Sequence, residues 1–447
     1  MIVRGARRRR VLGAAAAVLA LAACSSTDGS PVALAPVALA PVGGASAEPT
    51  GDATTAPDAP DSPGVARVGP EALGPVAPGE RPPQVVAVAF DGAGVAVGGT
   101  YPQFQFWRDV SRDANARFTY FLSGPYLLTH DNIGTYTAPQ LGTATQSMPF
   151  QVSGVLPLPG QSETDAVRYE LEQLRDAHAE GSEIGTHFNG HICGDQKGSV
   201  ARFTAEDWQL ELDQFTSMID NANSTNGIDP PVELGFTGDD VVGSRTPCLE
   251  GDYQVLYPVL EKAGFLYETS PTPDASSPTA WPQRGWPETG PTSLWVFPLP
   301  YVPSYGTDRR ILAMDYNFCF QHDRCNTKAA YPTSTTDAWG QQALDTYRQY
   351  FQRNYTGNRA PVILGNHFAM WHNGAYSNAL ADFVTETCRK PEVRCVSYRE
   401  LAEWLNATPE DQLKSWRLGE FDKFVDPNPP AYGQPVPNAP RPQAAEG

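Results

Sequence analysis

The sequence predicts an α/β fold, a distorted (β/α) barrel of about seven strands. Three observations predict it. Short, nearly continuous apolar runs rich in β-formers recur along the chain. Amphipathic helical segments fall between several of them, the pattern of a parallel sheet with helices outside. About seven such runs follow one another, which favours a barrel over an open sheet.

The expected strands are "QVVAVAF" (84–90), "RFTYFLS" (117–123), "SEIGTH" (182–187), "ELGFT" (233–237), "FLYET" (265–269), "SLWVFPL" (293–299) and "PVILGNH" (361–367). A helix is expected over 162–180, with Val167, Leu171 and Leu174 on one stripe and a stop at Gly181. Another is expected over 204–222, carrying Trp208, Leu212, Phe215 and Ile219, with Thr204 and Asp207 placed for a capping box. Two more are expected over 253–263, before Gly264, and over 336–355, carrying Trp339, Ala343, Tyr347 and Phe351.

The flanks differ in character. "MIVRGARRRR" is basic, and the apolar run after it is short for a membrane span. That run ends in "LAAC", which resembles a bacterial lipoprotein signal with lipid on Cys24. The expected organisation is a signal peptide (1–23), a Pro/Ala-rich linker (24–83), a folded α/β domain (84–423) and a Pro-rich tail (424–447). The expected location is outside the cytoplasm, on the membrane through the lipid. The net charge of −18 argues against nucleic acid as a partner.

Six further cysteines suit disulfides in an exported protein. Cys319–Cys325 and Cys388–Cys395 would each close a short loop, leaving Cys193 with Cys248. His322 would then sit, exposed, in the first of these loops.

In such barrels chemistry gathers at the C-terminal ends of strands. Asp91 directly follows the first run, and His187 ends the third, with His191 four residues on. Arg245 follows the fourth by a short loop, and His367 ends the last. Two neutral imidazoles and a carboxylate suit a divalent metal, zinc above all, with a position left for water. A further acid–base group would protonate the leaving amine or alcohol. The set reads as a metal-assisted hydrolase.

Over about 84–405 the chain resembles the polysaccharide deacetylase family, the NodB-homology domain. The resemblance is carried by "VAFDGAG", "THFNGH", "GSRTPC" and "ILGNHF", by "ARFTYFLSG" as the second strand, and by "VSYRELAEWL" as a closing helix. It implies that His187 and His191 bind the metal and that Asp91 is the general base. It implies that Arg245 orients that base and that His367 is the general acid. The implied substrate is an N-acetylated (or O-acetylated) polysaccharide. The family's second Asp, a metal ligand, is Gly92 here. Either Asp91 takes its place, or a water or another carboxylate does, or the domain binds glycan without turnover. For the Asp that tunes the acid histidine, Asp274 and Asp315 are the two candidates.

Aromatic residues add a last expectation. Tyr101, Phe104, Phe106 and Trp107 form one cluster, and Trp281, Trp286 and Trp295 another; most should pack in the core and a few could line a glycan groove. Trp371 and His372 could line the cleft or pack.

Overall fold

A computed structural model describes residues 72–94, 102–145, 154–272, 277–326 and 329–421. The expected signal peptide, Cys24, Tyr101, Asp274 and the Pro-rich tail lie outside these residues.

The elements run in the following order. Strand β1 (Gln84–Ala93) leads to helix α1 (Gln103–Ala114) and β2 (Thr119–Leu122). A small hairpin, β3 (Thr137–Ala138) and β4 (Gly142–Thr143), precedes α2 (Glu163–Ala179) and β5 (Glu183–Thr186). Next come α3 (Ala205–Thr225), β6 (Gly243–Ser244), α4 (Tyr253–Lys262) and β7 (Tyr267–Glu268). Four short strands follow, β8 (Gln283–Trp286), β9 (Gly290–Val296), β10 (Tyr301–Pro303) and β11 (Arg310–Leu312). The chain then forms α5 (Asp315–Asp323), α6 (Thr333–Thr356), β12 (Val362–His367) and α7 (Trp371–Thr387). It closes with β13 (Val393–Cys395), α8 (Tyr398–Ala407) and α9 (Glu410–Leu418).

The main sheet has the order β12-β1-β2-β5-β6-β7-β9-β8, with β13 also on β1. Its pairings are parallel except for β8 on β9. Seven parallel strands, from β12 round to β9, therefore make the expected distorted (β/α) barrel.

Strand period fixes which side chains enter it. In β1, Val86, Val88 and Phe90 pack outward among α1, α2, α6 and α7, while Val85, Ala87 and Ala89 face the interior with Phe121, Tyr267 and Phe297. Asp91 continues the interior set. In β12, Ile363 faces in, so His367, four residues on, does too. Helix α8 fills the far end of the interior with Tyr398 and Leu401. Its N-terminus meets the starts of β2 and β5, where Thr119 accepts the Tyr398 N–H and Glu183 the Arg399 N–H.

Three expectations need correction, the first two in the strand and domain bounds. Residues 233–237 form no strand. Gly235 there is left-handed (φ 78°), and the Asn223 side chain binds both backbone groups of Val232 just before it. The place beside β5 goes to Gly243–Ser244. Glycine is required at 243, since a Cβ would stand 1.8 Å from the Tyr267 ring. The ordered domain also begins upstream of the expected 84. Trp404 and Trp416 donate their indole N–H to the carbonyls of Gly74 and Glu80, and Gln412 donates to that of Val76.

The Thr204–Asp207 capping box forms as expected. Phe104, Phe106, Trp107, Trp281, Trp286 and Trp295 are all buried, so none lines a groove. The three disulfides are Cys193–Cys248, Cys319–Cys325 and Cys388–Cys395. His322 is not an exposed loop residue. It lies on α5, stacked 4.8 Å from Trp339 and bonded to Tyr376 and Gln342.

Candidate active site

Five neighbouring strands, β12-β1-β2-β5-β6, bring the sequence-nominated residues to one end of the barrel. Asp91 and His367 are direct register partners across β1 and β12. His187 follows β5, and its N–H bonds to the carbonyl of Leu122 at the end of β2. Arg245 directly follows β6, with its N–H on the Thr186 carbonyl.

Arg245 is fully buried, and its Nη1 lies 2.7 Å from Asp91 Oδ1. Its Nε donates to Thr269, Nη2 to the Tyr398 hydroxyl, and its Cζ lies over the Phe121 ring, 4.8 Å from the ring centre. A guanidinium held on several sides fixes the carboxylate it pairs with. The carbonyl of the same Arg245 lies 2.8 Å from His187 Nδ1. That nitrogen therefore carries the ring proton, leaving Nε2 as a free lone pair.

His187 is buried, and burial pushes its pKa down to about 3, against the opposing pull of Asp91. Burial lowers His191 as well. Both rings are neutral at ordinary pH, the form that binds a metal. The rings lie 5.3 Å apart, and His191 Nδ1 faces the Cys193–Cys248 bridge at 3.8 and 3.7 Å. The donor chemistry of the two imidazoles thus fits a divalent metal. A third donor of the usual kind does not join them. Among the described residues, no group of three His, Cys, Asp or Glu donors lying within 4.8 Å of one another includes His187.

The two histidines are held by a residue that sequence reasoning passed over. Glu211, fully buried on α3, accepts the N–H groups of Asn189 (2.8 Å) and Gly190 (3.2 Å), in the loop between them. Its other oxygen takes the Tyr136 hydroxyl, and its carbonyl takes the Asn189 amide. In the sequence it looks like one more charge on a helix. Only its place on the buried stripe, one residue before Leu212, could have signalled it.

His367 is partnered by Asp315, the first residue of α5. Asp315 Oδ1 is 2.8 Å from His367 Nδ1, and Oδ2 accepts the His367 N–H at 2.9 Å. Burial would lower the pKa of His367, but the Asp315 charge and hydrogen bond, with Asp91 beyond, outweigh it and hold the imidazole above its usual value. Of the two aspartates offered for this place, Asp315 occupies it. Trp371 (5.3 Å) and Tyr316 (6.4 Å) flank the His367 ring. Trp371 is only partly buried, whereas His372 is buried and bonded to Asp323.

No family model matches the sequence, and no curated protein matches it. Solved structures give low-level likenesses. A protein from Mycobacterium smegmatis described as a polysaccharide deacetylase is 17% identical with a TM-score of 0.43, over 75% of this chain and 97% of that one. Puue allantoinase is 14% identical with a TM-score of 0.40, over 72% of this chain and 90% of that one. A mutant of BA3943, described as a CE4 family pseudoenzyme with restored enzymatic activity, is 9% identical with a TM-score of 0.35, over 74% of this chain and 72% of that one.

Proposed function

We propose that the protein is a metal-dependent polysaccharide deacetylase that hydrolyses acetyl groups from an N-acetylated (or O-acetylated) envelope or extracellular polysaccharide. It would act outside the cytoplasm, anchored through a lipid on Cys24. One observation carries the reading. A buried Asp–Arg pair, an Asp–His pair and two neutral histidines stand together at the C-terminal ends of four strands, β12, β1, β5 and β6, of one sheet.

His187 and His191 would hold the metal, zinc being the best match to two imidazoles. A bound divalent metal supplies Lewis acidity for the acetyl carbonyl and makes water a better nucleophile at neutral pH. Asp91, held in place by Arg245, takes a proton from the attacking water. His367, protonated because Asp315 raises its pKa, gives a proton from Nε2 to the departing amine or hydroxyl. Asp91 and His367 stand side by side on β1 and β12, as a base and an acid serving opposite ends of one reaction would.

Gly92 favours a second reading, a glycan-binding domain without turnover, because among the described residues no carboxylate completes a close three-donor group with His187. One experiment separates the two. Metal per chain and acetate release from N-acetylglucosamine oligomers and acetylated xylan are measured for the whole protein and for His187→Ala/His191→Ala. Stoichiometric zinc and acetate release, both lost in the variant, support the deacetylase. Glycan binding without acetate release supports the second reading and sinks the first.

A further inference from the structure

We propose that Glu268 is a positioning residue for His187, acting through the Ser270 hydroxyl and the peptide group between Arg245 and Thr246. This role rests on the metal reading above and supplies what sets the donor strength of one ligand.

The line of contacts starts at the ring. His187 Nδ1 donates to the Arg245 carbonyl at 2.8 Å. The other side of that same peptide group, the Thr246 N–H, donates to Ser270 Oγ at 2.6 Å. The Ser270 hydroxyl, having accepted there, donates to Glu268 Oε1. The Ser270 N–H points at the same carboxylate, 3.0 Å from each oxygen. Imidazole, peptide, hydroxyl and carboxylate thus form one file of hydrogen bonds, with every donor directed toward Glu268. Bonds aligned in this way polarise one another, and all five residues are buried, where such polarisation is strongest.

Two very short strands build the file. Ser244 of β6 pairs with Glu268 of β7. Just beyond them the Thr269 N–H bonds to the Ser244 carbonyl, and the Thr269 hydroxyl accepts Arg245 Nε. Strand period turns Tyr267 into the barrel and Glu268 out of it, where its charge bears on Tyr253 and Tyr257 of α4. Glu268 therefore reaches the site through Ser270 rather than by contact. Segment 268–270 seats Arg245 twice, by its side chain and by the peptide that follows it.

Burial pushes the Glu268 pKa up to about 7, against the Ser270 hydrogen bonds and the Arg245 charge. Keeping a carboxylate there costs desolvation that a neutral side chain would avoid. What the charge supplies is a strong acceptor at the end of the file. Its pull makes the Arg245 carbonyl a better acceptor, holds the His187 tautomer and ring plane, and makes Nε2 a better donor to a metal.

The test uses the full chain, Glu268→Gln and Ser270→Ala, at about pH 8.5, above the Glu268 pKa. The His187 Nδ1–H signal is read by NMR in metal-free protein carrying ¹⁵N-histidine, and zinc affinity by competition with a chromophoric chelator. In both variants the His187 signal should move upfield while the His191 ring signals, which lie outside the file, stay in place. Zinc binding should weaken by about tenfold or more in both. A His187 signal that stays put, or that moves together with those of His191 as in a loosened fold, would overturn this inference. So would equal zinc affinity in all three proteins, which leaves the metal reading standing. A wild type that binds no zinc would overturn both.

Discussion

Asp315 grips His367 twice, at the ring Nδ1 (2.8 Å) and at the backbone N–H (2.9 Å). The two bonds fix the tautomer and the ring plane together. A general acid must be protonated to act, so a raised pKa keeps His367 active to higher pH. Replacing Asp315 by Asn removes the charge. The alkaline limb of the kcat/KM profile should then move to lower pH. His367→Gln should cost about 10²–10⁴ in kcat. An unmoved alkaline limb in Asp315→Asn would exclude His367 as the titrating acid.

Glu211 should act on metal binding without touching the metal. Its carboxylate ties down two N–H groups between the ligating histidines. In Glu211→Ala those groups lose their acceptor, at about 1–3 kcal/mol each if they stay buried. Zinc affinity should fall by about 10–100-fold, as for other residues that orient ligands. Glu211→Gln keeps one acceptor oxygen and should keep most of the affinity. Calorimetric zinc titration of the three proteins checks this. Equal affinities would make Glu211 a packing residue only.

Much of this site was legible in the sequence because strand ends announce themselves. An apolar run followed by Asp91, or ending in His187 or His367, marks both the strand and its C-terminal residue. Arg245 was found, but through the wrong strand. The true one is Gly243–Ser244, two residues long and too short to carry a period. The apolar "ELGFT" nearby drew the assignment instead. Helix α1 was missed because Phe104, Phe106 and Trp107 stood out as an aromatic cluster before they could be read as one buried face.

Stability should carry a mark of Glu183. It is buried at the start of β5, accepting from Tyr267, Thr119 and the Arg399 N–H, and burial pushes its pKa up to about 7. A folded-state pKa above the unfolded value contributes stability that is fully present below about 4.5 and lost as pH rises through about 7. Glu183→Gln titrates nowhere in that window. The wild type should therefore lose stability relative to the variant as pH rises from 4.5 to 8, by on the order of 3 kcal/mol. Urea midpoints for both proteins across that range test it. A constant difference would mean that Glu183 is already ionised in the fold at low pH.

The Cys193–Cys248 bridge joins the loop after His191 to the loop after Arg245. It spans 55 residues, so the chain-entropy account gives about 4 kcal/mol of stabilisation. Its sulfurs also lie 3.7–3.8 Å from His191 Nδ1, so it walls the ring on one side. His187 is held differently, through the Arg245 carbonyl. Removing the bridge should therefore loosen one ligand and spare the other. Cys193→Ser/Cys248→Ser should unfold at lower urea and bind zinc more weakly, while Cys388→Ser/Cys395→Ser should lose stability alone. Zinc titrations at matched temperature, well below both melting transitions, separate the two effects. Equal zinc affinity in the two double variants would show that the bridge staples the fold and has no part in placing His191.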